Sequence, residues 1–174
     1  MHNNFTIKTG YFTILIMKMK LDTIAKKILQ SNIYMTLATV DKNGVPWASP
    51  VYYCMDENCN FYFISSPKSR HIRNLKHTNR ASFAIFDSHQ PEGTGNGIQG
   101  SGVVHELANG DLLEGLKHYH TSFFKVVTAM FQGKAFYRMY KLEPRELFVL
   151  DPEKNVDARV SVLISRHNPD PRCI

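Results

Sequence analysis

From Asn58 to Phe86 the chain contains no aspartate and no glutamate, yet Lys68, Arg70, Arg73, Lys76 and Arg80 all fall inside that stretch. Cysteine is nearly as scarce: Cys54, Cys59 and Cys173 are three in 174 residues. An odd, sparse set of this kind excludes a disulfide framework, and its spacing fits no zinc pattern. Free thiols in a reducing cytoplasm are the expectation. Long apolar runs are missing too. Tyr11 to Met17 (YFTILIM) is too short to span a bilayer, and Lys18 and Lys20 follow it instead of a small-residue cleavage site. Met17 and Met19 are both plausible starts, so residues 1–18 are read as a leader or a misassigned start, 19–152 as one folded domain and 153–174 as a tail. No P-loop, nucleophile elbow or usefully spaced carboxylate pair occurs. Any chemistry therefore falls to a bound cofactor.

What is present suits a single globular domain. Hydrophobic residues make up 43% and aromatics 11%, enough for a substantial core. A net charge of +6 and a pI near 9.2 favour anionic partners. Leu21, Ile24, Ala25, Ile28 and Leu29 lie at helical spacing, with Asp22 or Thr23 as N-cap and an end near Ser31. Ile33 to Val40 reads as a strand running into Asp41-Lys42-Asn43-Gly44, a strong hairpin signal. Its partner, Val45 to Met55, contains Pro46 and Pro50, which cannot donate to a ladder and make it an edge or bulged strand.

Further strands are expected at Asn60–Ser65, Ala81–Phe86, Ile98–Leu107, Ala135–Leu142 and Leu147–Leu150, the last two separated by a turn at Glu143-Pro144-Arg145-Glu146. Val160 to Ile164 is the one patterned stretch of the tail. Helices are expected after Ser69 and from Asn109 to about Gln132. Six or seven mostly hairpin-linked strands with a few helices describe an α+β, barrel-like antiparallel fold.

The Gly-rich run Gly93 to Gly102 (GTGNGIQGSG) holds a G-x-G-x-x-G match, but it precedes a strand and no helix follows, so it reads as a hairpin loop. His118 and His120 are two apart on the expected helix and do not share a face, which argues against a metal site. The acid-free segment is the remaining candidate. An aromatic strand (FYFIS) stops at Ser65-Ser66-Pro67, and Lys68, Ser69, Arg70 and His71 then crowd a helix start, with Ser69 as cap. Hydroxyls, backbone N–H groups and a planar guanidinium are the mixture that holds a phosphate monoester. Ile72 and Leu75 form the apolar side of that helix, and Arg70, Arg73 and His77 the other. The aromatics alternate with a barrel pattern and lack an RNP-like sequence, which sets nucleic acid aside.

The order of YMTLATVDKNGVPWASPVYY, NFYFISSPKSRHIRNLKHTNRASFAIF and IQGSGVVHEL resembles the pyridoxamine 5′-phosphate oxidase-like proteins of the FMN-binding split-barrel superfamily, over about residues 22–150. The resemblance implies a six-stranded antiparallel split barrel with flanking helices, working as a cytoplasmic homodimer with FMN at the subunit interface and a small-molecule substrate. It places Ser65, Ser69, Arg70 and His71 on the FMN phosphate and ribityl chain, with Ile64, Ser66 and Lys68 beside them. His71 stands where the family most often has lysine. Trp47, Ser49, Pro50, Val51 and Tyr52 would line the isoalloxazine edge, and Gln99 would come from the second subunit. Tyr52 and His71 are the positional candidates for a proton donor. The implied activity is an FMN-dependent oxidoreductase. Alternatives are a deazaflavin-dependent reductase of the same fold, or a non-catalytic flavin- or haem-binding protein. The tail SRHNPDPRCI lacks the family's Arg-Leu-His-Asp-Arg motif, so oxidation of pyridoxamine phosphate itself is not implied.

Overall fold

The computed structural model describes residues 3–93, 96–119, 131, 133–151, 153 and 158–162. The elements run α1 (Asn3–Ser31), β1 (Tyr34–Val40), β2 (Pro46–Tyr52), β3 (Cys54–Met55), β4 (Phe61–Ser65), α2 (Arg70–Thr78), β5 (Arg80–Phe86), β6 (Gly97–Glu106), α3 (Asn109–Lys117), β7 (Arg138–Leu150) and β8 (Arg159–Ser161). One antiparallel sheet takes the order β2-β1-β5-β6-β7-β4-β3, and β8 pairs with β7. Six longer strands make the split barrel, and the two-residue β3 and three-residue β8 extend it. No helix among the described residues is long and apolar enough to cross a membrane.

Local chemistry accounts for most of these boundaries. Asp41 Oδ1 accepts from the backbone N–H of Asn43 and Val45 at 2.8 and 3.0 Å, and Gly44 takes φ 82°, which closes the β1–β2 hairpin. β2, with its two prolines, ends the sheet, where missing ladder donors are tolerated. The expected strand from Val45 to Met55 breaks at Tyr53, whose side chain is fully buried and whose hydroxyl donates to the Leu29 carbonyl at 2.7 Å. That bond ties the barrel to α1, which buries Leu21, Ala25, Ile28 and Leu29 in the main core with Phe61, Phe63, Phe83 and Ile85. A smaller cluster (Tyr62, Met139, Leu107 and Leu112) lies where α3 covers β4 and β7.

Three expectations need correction. The first helix starts at Asn3, not near Asp22, and Thr23 sits mid-helix with its hydroxyl donating to the Met19 carbonyl. The second insert helix ends at Lys117. His118 there stacks on Tyr62 and Tyr119 meets Tyr52 edge-on; residues 120–130 lie outside the described residues. The turn expected at Glu143–Glu146 is instead part of one 13-residue strand, β7. Ser101 pairs with Glu146 but Gly102 with Pro144, so Arg145 is the extra residue of a bulge. Pro144, which has no N–H, is accommodated at that bulge.

Candidate functional site

The acid-free segment folds into a compact polar cluster where β4 gives way to α2. Ser69 N–H donates to the Ser66 carbonyl at 3.0 Å and Lys68 N–H to Ser66 Oγ at 3.2 Å, which turns the chain into the helix. Ser69 holds the N-cap position with extended φ −64°, ψ 151°, but its hydroxyl makes no capping bond. It donates to the Ser66 carbonyl at 2.8 Å instead. The opening N–H groups of α2 are thus not capped by that side chain, and they point where an anion is favoured.

His71 lies beneath this turn, buried at 8% exposure. Its Nε2 is 2.7 Å from Ser65 Oγ and 3.2 Å from Ser69 Oγ, and its Nδ1 is 3.1 Å from Ser49 Oγ. The ring therefore joins β4, α2 and β2. One turn further on, Asn74 Nδ2 donates to Thr39 Oγ1 at 3.1 Å, which fastens the same helix face to β1. Arg70 places its guanidinium 4.3 Å above the ring of Trp47, two residues before Ser49 on β2.

Burial pushes the His71 imidazole below its ordinary value of 6.5, so the neutral ring is the stable form at neutral pH. An imidazole lowered in the folded state binds protons more readily when unfolded. Its contribution to stability is thus full above 6.5 and lost as pH falls through the folded value. The melting temperature should fall on acidification from about pH 7 to about pH 5, and His71→Gln should melt lower at neutral pH but with a flatter profile. Parallel pH profiles for the two proteins would contradict this assignment.

The structure brings together Trp47, Ser49, Ser65, Ser66, Ser69, Arg70 and His71; Lys68 is exposed at the turn itself. It does not bring in the others. Val51 is in the main core, while Ile64 and Tyr52 pack against the cluster beneath α3. Pro50 and Gln99 are exposed on the outer sheet face, Pro50 opposite Thr36 and Gln99 between Ala84 and Phe148. That face carries a groove of about 790 Å³ bordered by Arg80, Ser82, Ser101 and Arg145, and beside it one of about 370 Å³ containing Gln99. Among the described residues no group of three or more His, Cys, Asp or Glu side chains could hold a metal ion.

Asn74 and Thr39 went unnoticed in the sequence. The available signal was the i, i+3 spacing of His71 and Asn74 on the buried face beside Ile72 and Leu75. His77 and Arg73 are exposed, as their position opposite that face requires. The donor set fits a phosphate monoester: serine hydroxyls, uncapped helix N–H groups and a guanidinium, with the segment free of carboxylates.

The sheet order defines an antiparallel split-barrel protein. Residues 21–155 match the pyridoxamine 5′-phosphate oxidase family model, and the chain belongs to that family. No curated protein matches the sequence. Among solved structures, a heme binding protein from Mycobacterium smegmatis is similar, at TM-score 0.64 and 22% identity, over 81% of this chain and 57% of that one. This chain therefore spans less than two thirds of the mycobacterial protein. A heme storage protein from Vibrio cholerae aligns at TM-score 0.62 and 21% identity, over 74% of this chain and 94% of its own. A pyridoxamine 5′-phosphate oxidase-related, FMN binding protein from Nostoc punctiforme aligns at TM-score 0.52 and 14% identity, over 73% and 78% of the two chains. At these identities the likeness is one of fold.

Proposed function

We propose that this chain binds FMN and acts as an oxidoreductase on a small molecule. The observation that carries the proposal is the start of α2, where uncapped N–H groups, Ser65, Ser66, Ser69 and Arg70 face no acidic residue of their own segment. A phosphate there meets a favourable helix dipole and a guanidinium already held over the Trp47 ring. Lys68, exposed at the same turn, adds a second positive charge. The bound flavin would supply hydride transfer, while the chain anchors the phosphate, orients the ring and excludes water.

His71 is a poor proton donor, since both ring nitrogens are engaged by serines. Tyr52 packs between Tyr34 and Tyr119. No catalytic side chain is assigned. A second copy covering the outer sheet face would bring its own Gln99 and grooves to a shared site, as a homodimer with the cofactor at the interface requires. Cys54 and Cys59 are buried, and burial chiefly pushes the Cys59 thiol up to about 11, which makes it a poor nucleophile.

The test is spectroscopic. Purified protein reconstituted with FMN should retain the flavin bands through gel filtration and lose them on competition with excess FMN analogue bearing the phosphate, but not with riboflavin at the same concentration. A Soret band instead would assign the fold here to haem, and a deazaflavin maximum to the deazaflavin relative. A colourless protein that takes up none of the three would end the cofactor reading.

A further inference from the structure

We propose that His71 is a positioning residue that never touches the ligand: it is held as the Nε2–H tautomer by Ser49 and thereby turns the Ser65 hydroxyl into a donor for the bound phosphate. The inference rests on the cofactor site proposed above and deepens it.

A neutral imidazole has one N–H donor and one acceptor nitrogen. Ser69 already donates its hydroxyl proton to the Ser66 carbonyl, so toward the ring it can only accept. With the proton on Nε2, the ring donates to Ser65 Oγ at 2.7 Å, with Ser69 Oγ at 3.2 Å as a weaker second acceptor. Nδ1 then accepts from Ser49 Oγ at 3.1 Å. Of the three serines that face the ring, Ser49 and Ser69 then have their hydroxyl protons placed, which leaves that of Ser65. Its remaining protein partner is Ser69 Oγ at 3.3 Å, a weak bond by its length, so the proton is free to turn to an anion.

The other tautomer inverts this. With the proton on Nδ1, the ring donates to Ser49, and Nε2 takes the Ser65 proton. Ser65 would then present only lone pairs, which repel a phosphate oxygen. Ser69 would lose its donor from the ring and gain nothing.

Burial makes the arrangement coherent, since it keeps the ring neutral and so keeps one acceptor nitrogen for Ser49. The charged groups around the ring are few. Arg70, next in sequence, is engaged over the Trp47 ring, and from β2 and β4 the imidazole meets the serines Ser49 and Ser65. A lysine at position 71 would deliver charge directly to a phosphate. The histidine delivers instead a hydrogen-bond direction, and the charge comes from Arg70 and Lys68.

The distinguishing variant is Ser49→Ala, since on this account Ser49 acts only through His71. Removing its hydroxyl frees Nδ1 and lets the two tautomers mix. FMN affinity should fall roughly three- to tenfold, the range for one neutral hydrogen bond, and Ser49→Thr should restore it. Long-range ¹⁵N–¹H correlation spectra of histidine-labelled full-length protein read the tautomer directly. With FMN, and separately with inorganic phosphate, the wild type should show a protonated Nε2 and a bare Nδ1. Ser49→Ala should show averaged nitrogen shifts.

A protonated Nδ1 in wild type that binds FMN overturns the relay and leaves the cofactor site standing. Unchanged FMN affinity in Ser49→Ala does the same. Failure of wild type to bind either FMN or phosphate overturns both. Thermal melting of each variant separates a folding defect from a binding one, and should Ser49→Ala not fold, Ser49→Thr and the wild-type spectra decide alone.

Discussion

Replacing Arg70 with Ala should weaken FMN binding by about 1.5–3 kcal/mol, the usual cost of losing a hydrogen bond to a charged group. That is roughly a 10- to 150-fold rise in Kd. Arg70 is the guanidinium at this turn, and it is held in advance 4.3 Å above the Trp47 ring, so less conformational freedom is lost when it meets a phosphate. Arg70→Lys should fall between the two, since the ammonium keeps the charge but not the fork. Stability should change far less, because an exposed cation–π contact contributes only about 0.5–1 kcal/mol. Trp47 is the single tryptophan of the chain, so its fluorescence reports on the site without a label. Titration with FMN, followed by tryptophan quenching, gives all three affinities. Equal affinities for wild type and Arg70→Ala would remove Arg70 from the clamp and the carrying observation from the proposed function.

Much of the scaffold could be read from residues with a local reason to be where they are. Asn43-Gly44 forces a tight hairpin, the prolines of β2 need an edge, and the apolar positions of α2 face inward as their spacing requires. Parts that depend on distant partners could not be read in this way. His71 looked like a surface ligand because it stands in a basic run, and what buries it are Ser49 and Ser65 from two separate strands. Ser69 carries the composition of a capping residue, yet its hydroxyl has a nearer acceptor in Ser66. Strand alternation has a similar effect on Trp47 to Tyr52. One continuous run in sequence, it sends Ser49 to the His71 cluster and Val51 to the core, and Pro50 and Tyr52 to the opposite face. Tyr119 fits a helical pattern, but edge contact with Tyr52 lies beyond the end of α3.

Glu143-Pro144-Arg145-Glu146 shows the same limit most sharply, and it yields the second large effect. Proline between charged residues is good turn chemistry, and nothing local argues otherwise. What keeps β7 straight is Gly102 across the ladder. A Cβ there would stand 2.3 Å from the Glu143 carbonyl oxygen and 3.0 Å from Pro144 Cα. Both are backbone atoms, so no rotamer change relieves the overlap. Gly102 does not need a left-handed φ; it needs the space, and the bulge at Arg145 exists because β6 approaches so closely. Gly102→Ala should therefore destabilise the fold by about 3 kcal/mol, the upper part of the overpacking range. For a chain of this size that lowers the melting temperature by roughly 6–12 °C. The bulge also sets Glu146 to accept from Ser101 at 2.6 Å beside the outer-face groove, so any survivor that folds by opening the ladder should lose that contact. Gly110→Ala is the matched control: it opens α3, has nothing within 4 Å of the added carbon, and should be neutral or stabilising by about 0.5–1 kcal/mol. Thermal melts of the two alanine variants beside wild type decide the matter. Should Gly102→Ala melt with wild type, the close approach of β6 to Pro144 is not what holds the bulge, and the account of why the expected turn failed to form goes with it.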